Sequence, residues 1–167
     1  MRSFIVCSLL FVASIPVWAQ PTRADSLRSL SFLQGIWTLQ NGEGTETTEF
    51  HWSAIGGNRV LVGRSWSGMA GSCPWCVTQT AMVAKYDPSR SEVRIHFVDR
   101  GQQVLDFRLA VAGKESVQFL TEMGLGLPTY RLTYALAETG SLIQTIEKQS
   151  DRGGVFVPVF QASFRRR

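Results

Sequence analysis

Residues 92 to 111 read Glu92-Val93-Arg94-Ile95-His96-Phe97-Val98-Asp99-Arg100-Gly101-Gln102-Gln103-Val104-Leu105-Asp106-Phe107-Arg108-Leu109-Ala110-Val111. Val93, Ile95 and Phe97 alternate with Arg94 and His96, and beyond Arg100-Gly101 the apolar Leu105, Phe107, Leu109 and Val111 alternate with Asp106, Arg108 and Ala110. A period of two sends successive side chains to opposite faces, so each run is a strand with one buried face. The short gap between them predicts antiparallel pairing.

The same pattern extends outward in both directions. Tyr130, Leu132, Tyr134 and Leu136 oppose Arg131 and Thr133, and from about residue 34 the chain breaks into short runs every ten to twelve residues. Ten strands are expected, at 35–40, 45–53, 58–67, 76–86, 92–99, 104–111, 116–122, 129–137, 142–149 and 155–164. Between them stand Asn41-Gly42, Asp87-Pro88-Ser89, Ala112-Gly113-Lys114, Thr139-Gly140-Ser141 and Asp151-Arg152-Gly153-Gly154, residues that supply positive φ, preset φ or side-chain caps. Ahead of the first strand, Leu27, Leu30 and Leu33 recur at helical spacing after Asp25 and Ser26, which predicts a short helix. Ten antiparallel strands with tight turns avoid exposed edges most simply by closing on themselves. The fold expected is therefore all-β, a single up-and-down barrel.

The chain has 167 residues, 44% hydrophobic and 18% charged, which suits one globular domain and excludes disorder. Residues 1–20 combine a basic start at Arg2, an apolar stretch from Phe4 to Ile15, Pro16, and Val17-Trp18-Ala19, with small or aliphatic residues at the positions a signal peptidase reads. The apolar stretch is too short to span a bilayer, so residues 1–19 are expected to be a cleaved signal peptide and residues 20–167 the barrel domain, exported to the periplasm. The formal charge of +4 raises nucleic acid as a partner. However, Arg2 belongs to the leader and Arg165, Arg166 and Arg167 end the chain, and the remaining 13 basic residues balance 13 acidic ones. A neutral body without interleaved basic and aromatic residues argues against nucleic acid.

Removal of Cys7 with the leader leaves Cys73 and Cys76 in Gly71-Ser72-Cys73-Pro74-Trp75-Cys76. A close pair in an oxidising compartment is expected to form a local disulfide. A redox Cys-x-x-Cys is the other reading, although the β-branched stretch that follows lacks the helix such a thiolate uses. Zinc would need His51 and His96 from distant positions, so no metal is expected.

The opening Gly35-Ile36-Trp37 after a short helical lead resembles the start of lipocalin-like (calycin) barrels, and Glu49-Phe50-His51-Trp52 followed by Gly56-Gly57 and Gly63-Arg64-Ser65 is similar to a family of secreted bacterial lipocalin-like domains of unknown function. The resemblance implies that Trp37 closes one end of the barrel and that Arg165 or Arg166 lies across it. It departs at Met123-Gly124-Leu125-Gly126-Leu127-Pro128, where that family carries a His-Asp-Phe-Pro segment, and at the Cys73–Cys76 insertion.

A fold of this kind carries many functions, so function must be argued from a site. Glu49, His51, Arg64, Trp66, Arg94 and His96 are the residues expected to line a pocket for a small, largely apolar ligand, with Arg108 a further candidate. No cofactor is expected. An enzyme using His51 with Glu49 as an acid/base pair is the alternative. A partner-binding domain presenting Trp75 on the Cys73–Cys76 loop is a third. No nucleophile elbow, phosphate loop, dinucleotide fingerprint or zinc-binding helix is present in the sequence.

Overall fold

The computed structural model describes residues 27–39, 45–68, 78–98, 104–121, 129–150 and 154–167, including side chains at all of these except 45, 66–68 and 78–80. The expected leader, Cys73, Trp75 and Cys76 lie outside the described residues. Ten strands follow in order: β1 (Gly35–Leu39), β2 (Thr45–Ile55), β3 (Asn58–Gly68), β4 (Thr78–Asp87), β5 (Glu92–Val98), β6 (Val104–Ala112), β7 (Ser116–Thr121), β8 (Tyr130–Leu136), β9 (Leu142–Gln149) and β10 (Phe156–Arg166). Each pairs antiparallel with its neighbour in sequence, and β10 returns to β1 to complete a closed up-and-down barrel.

Two strands run two residues beyond their expected limits, for identifiable reasons. β2 continues to Ile55, which pairs with Asn58 across a two-residue turn. Gly56 and Gly57 both have positive φ, 56° and 76°, the backbone that matches a tight hairpin to strand twist. β10 continues to Arg166 because closure requires it, with Trp37 opposite Arg166 and Leu39 opposite Phe164. The helical lead expected from residue 25 starts outside the described residues; within them Leu27 and Arg28 are helical, Leu30 N–H donates to the Leu27 carbonyl, and a 3-10 turn follows over Ser31–Leu33. Its three leucines are buried in the core all the same.

Alternation inside each strand places Trp37, Phe50, Leu61, Ile95, Phe119, Leu132 and Phe164 in the interior, each almost wholly removed from water. Burial of one such side chain contributes about 1.5–3 kcal/mol. The turns at 56–57, 88–91, 113–115 and 137–141, together with the 27–34 lead and the last strand's end, gather at one end of the barrel. The Asp87 turn is held as its sequence implies, since the Ser89 N–H and hydroxyl both donate to Asp87 Oδ1 at 2.9 and 2.6 Å. That hydroxyl bond is the chief cause holding the Asp87 carboxyl below its usual range.

At this end Trp37 is 1% exposed and its Nε1 donates to the Leu33 carbonyl at 2.8 Å. The Arg166 guanidinium stands 5.5 Å from the Trp37 ring centroid and donates to the Gln34 carbonyl at 2.9 Å. Arg165 pairs with Thr38, one residue along, and is exposed on the opposite face. Gly35 sits beneath Arg166 at φ +136°, and a Cβ there would lie 3.1 Å from Arg166 Nε. Both the backbone conformation and the closeness of the guanidinium call for glycine. Arg59, 4.2 Å over Trp52, repeats the cation-on-ring arrangement from the hairpin.

Candidate functional site

The face that carries Phe50 on β2 also carries Glu46, Thr48 and Trp52, because residues two apart share a face. Glu46, Thr48 and Phe50 meet Gly63 and Ser65 of β3, Met82 of β4, Phe97 of β5, Tyr134 of β8, Gln144 and Ile146 of β9 and Phe160 of β10 around a cavity of about 170 Å³. A second cavity of about 110 Å³ lies among Phe97, Leu105, Phe107, Tyr130, Leu132 and Ile146, with no polar atom at its surface. Phe97 and Ile146 border both, so the two lie side by side as lobes of the barrel interior.

Most hydrogen-bonding groups of the first lobe serve one another. The Thr48 and Ser65 hydroxyls are 2.8 Å apart across the β2–β3 pairing. Gln144 Nε2 donates to the Tyr134 hydroxyl at 3.4 Å, and that hydroxyl points its own hydrogen at Met82 Sδ, 4.0 Å away. Burial above all, and then the negative charge of Glu46, push the Tyr134 phenol far above its ordinary range, so it stays protonated. The Tyr134 ring stands edge-on to Phe50, with centroids 5.7 Å apart at 84°. Glu46, half-buried, has no hydrogen bond or ion pair among the described residues.

Phe160 lines the first lobe yet is 43% exposed. The reason lies in the register. β10 pairs with β1 only from Phe164 to Arg166, while on the other side it pairs with β9 from Phe156 to Phe164. Between Val157 and Ser163 the described residues therefore give β10 a neighbour on one edge only. Pro158 and the bulge between Pro158 and Phe160 make that stretch a poor template for a foreign strand.

The expected lining residues fall elsewhere. Glu49 and His51 lie between the inward Thr48, Phe50 and Trp52, on the outer side of β2; Arg64 lies on the outer side of β3, and Arg94 and His96 on the outer side of β5. None of them lines either lobe. Trp66 is paired with Thr47 and Gln79, and its side chain is outside the description. The register joins some of these residues across the outer wall: Glu49 opposes Arg64, and a row runs from His51 through Val62 and Val83 to His96 and Asp106. His96 Nδ1 meets Asp106 Oδ1 at 2.5 Å, and Arg94, buried at 7% exposure, pairs with Glu92 at 3.0 Å. Arg108 opposes Arg94 on the same outer side and is exposed.

His51 Nδ1 and His96 Nε2 are closed to solvent, with no hydrogen-bond partner among the described residues. No hydrogen bond joins Glu49 to His51 among the described residues, and three strand spacings separate the two histidines. Glu49 and His51, the acid/base pair of the enzymatic reading, border neither of the two cavities seen among the described residues. Among the described residues no cluster of three metal-ligating side chains occurs and no helix is long and apolar enough to cross a membrane. Comparison with family models and with curated proteins finds no match for the chain.

Sequence reasoning thus missed Glu46, Thr48, Ser65, Tyr134 and Gln144 as the polar part of the site. The signal that reaches them is the aromatic face of β2. Stepping back by two residues from Phe50 leads to Thr48 and then Glu46, whereas the ionisable face bearing Glu49 and His51 is the one a barrel turns toward water.

Proposed function

We propose that this protein is a lipocalin-like binding barrel for a small molecule with an apolar body and a polar end. The observation that carries this reading is the two-lobed interior, one lobe bare of polar atoms and the other bordered by Glu46, Thr48, Ser65, Tyr134 and Gln144. Apolar walls with a few convergent polar groups are the usual make-up of a ligand pocket. Each lobe is on the scale of one aromatic ring, since an apolar cavity of about 150 Å³ takes up benzene. The wall beside Phe160 is the access route this reading favours. Residues 1–19 support export to the periplasm as the setting, and a disulfide between Cys73 and Cys76 is consistent with it.

A ligand of about ten non-hydrogen atoms at roughly 0.5 kcal/mol each binds with about −5 kcal/mol, a Kd of order 0.1–1 mM. The test is thermal unfolding of the full chain in millimolar toluene. A rise in Tm that grows with toluene concentration is expected by mass action. No rise up to saturation would sink the proposal.

A further inference from the structure

We infer that the ligand carries a cationic nitrogen, an ammonium on an apolar body, and that Glu46 pairs with it. This rests on the binding-barrel reading and adds the charge of the head group. Three features of the first lobe converge on it. Thr48 and Ser65 are bonded to each other, and the Tyr134 hydroxyl already has Gln144 and Met82. Glu46 is left as a carboxylate bordering the lobe with its acceptor capacity open among the described residues. An ionised carboxylate only accepts, so its complement is a donor, and a charged donor binds it about twice as strongly as a neutral one.

The rings around the lobe favour the same sign. Phe50, Phe97, Tyr134 and Phe160 all border it, and aromatic faces attract cations. Tyr134, kept protonated, adds no competing negative charge.

An anionic head finds the opposite environment. Among the described residues no basic side chain lines either lobe. Arg59 and Arg166 lie over Trp52 and Trp37 at the closed end. Lys148, two residues past Ile146 on β9 and opposite Tyr130 and Val157, borders neither lobe. The apolar second lobe receives the body of the molecule, with Phe97 and Ile146, which border both lobes, between body and head.

The experiment compares benzylamine, benzyl alcohol and benzoate, which share one ring-sized body, by calorimetric titration of the full chain at neutral pH. Benzylamine is expected to bind about tenfold more tightly than benzyl alcohol, with benzoate weakest, because roughly doubling the energy of a neutral hydrogen bond adds about 1.4 kcal/mol, which is tenfold in affinity. Glu46→Gln is expected to remove the amine's advantage while benzyl alcohol binds as before, which also shows that the variant is folded. Benzyl alcohol or benzoate matching benzylamine on the unaltered protein would overturn the assignment of the head group and leave the binding barrel standing. Failure of all three to bind would overturn both. The comparison on the unaltered chain decides the matter even where Glu46→Gln loses its fold.

Discussion

Gly63 of β3 lies so close to the Phe50 ring of β2 that a Cβ on Gly63 would fall 2.8 Å from Phe50 Cε1 and 3.3 Å from Met82 Cε. Phe50 cannot retreat freely, because its ring is set edge-on against Tyr134. The missing side chain at Gly63 is what lets an aromatic ring lie against the inner wall. Gly63→Ala is therefore expected to cost about 1–3 kcal/mol, the usual range for adding a methyl group to a packed interior. A lower urea midpoint with unchanged slope would show it. Phe50→Leu combined with Gly63→Ala should cost less than the two separate losses, since the shorter side chain relieves the clash. Strict additivity would contradict the account.

Arg166 and Arg165 are neighbours in sequence with opposite roles in the barrel. Arg166 makes the ring contact to Trp37 and the bond to the Gln34 carbonyl, whereas Arg165 is exposed on the other face beside Thr38. Arg166→Ala is expected to lower stability by about 1–2 kcal/mol, from a partly exposed cation–ring contact and a charged hydrogen bond. Arg165→Ala should stay within about 0.5 kcal/mol of the unaltered protein. Arg166→Lys should recover less than half of the loss, because an ammonium does not present a planar fork to ring and carbonyl together. Equal effects at 165 and 166 in chemical denaturation would refute this assignment.

The contrast between these two arginines shows how far the sequence could be read. Alternation in β5, β6 and β8 and the turn residues between runs determine the ten strands, because period two and turn chemistry are local properties. Which arginine meets Trp37 depends on the register of β10 against β1, a pairing of residues more than a hundred positions apart. The site was obscured for a related reason. Histidines, arginines and glutamates attract attention as chemistry, and Glu49, His51, Arg64, Arg94 and His96 on β2, β3 and β5 occupy the outer face. Glu46, four residues before Phe50, is the carboxylate on the inner face, and only knowing which end of the barrel is plugged by Leu27, Leu30, Leu33 and Trp37 shows it facing open volume rather than packed core.

On the outer wall, Arg131 of β8 holds Glu147 of β9 by two bonds, Nε to Oε2 at 2.5 Å and Nη2 to Oε1 at 2.8 Å, and its guanidinium also covers the Phe156 ring at 4.4 Å. The hydrogen bonds from Arg131 are the main cause keeping the Glu147 carboxyl below its usual range, aided by the arginine's charge and opposed by burial. A carboxyl whose folded value is depressed binds fewer protons folded than unfolded. Its stabilisation is therefore complete above the unfolded value, about 4.3, and is lost as pH falls through the lower folded value. Glu147→Gln is expected to be about 1 kcal/mol less stable at pH 7, an estimate kept low because Arg131 is partly exposed. Urea titrations from pH 7 downward should show the gap between variant and unaltered protein constant above about pH 5 and closing below it. A gap that holds its size to the lowest pH at which the protein folds would instead trace the loss to packing around Phe156, and ionisation of Glu147 would have no part in it.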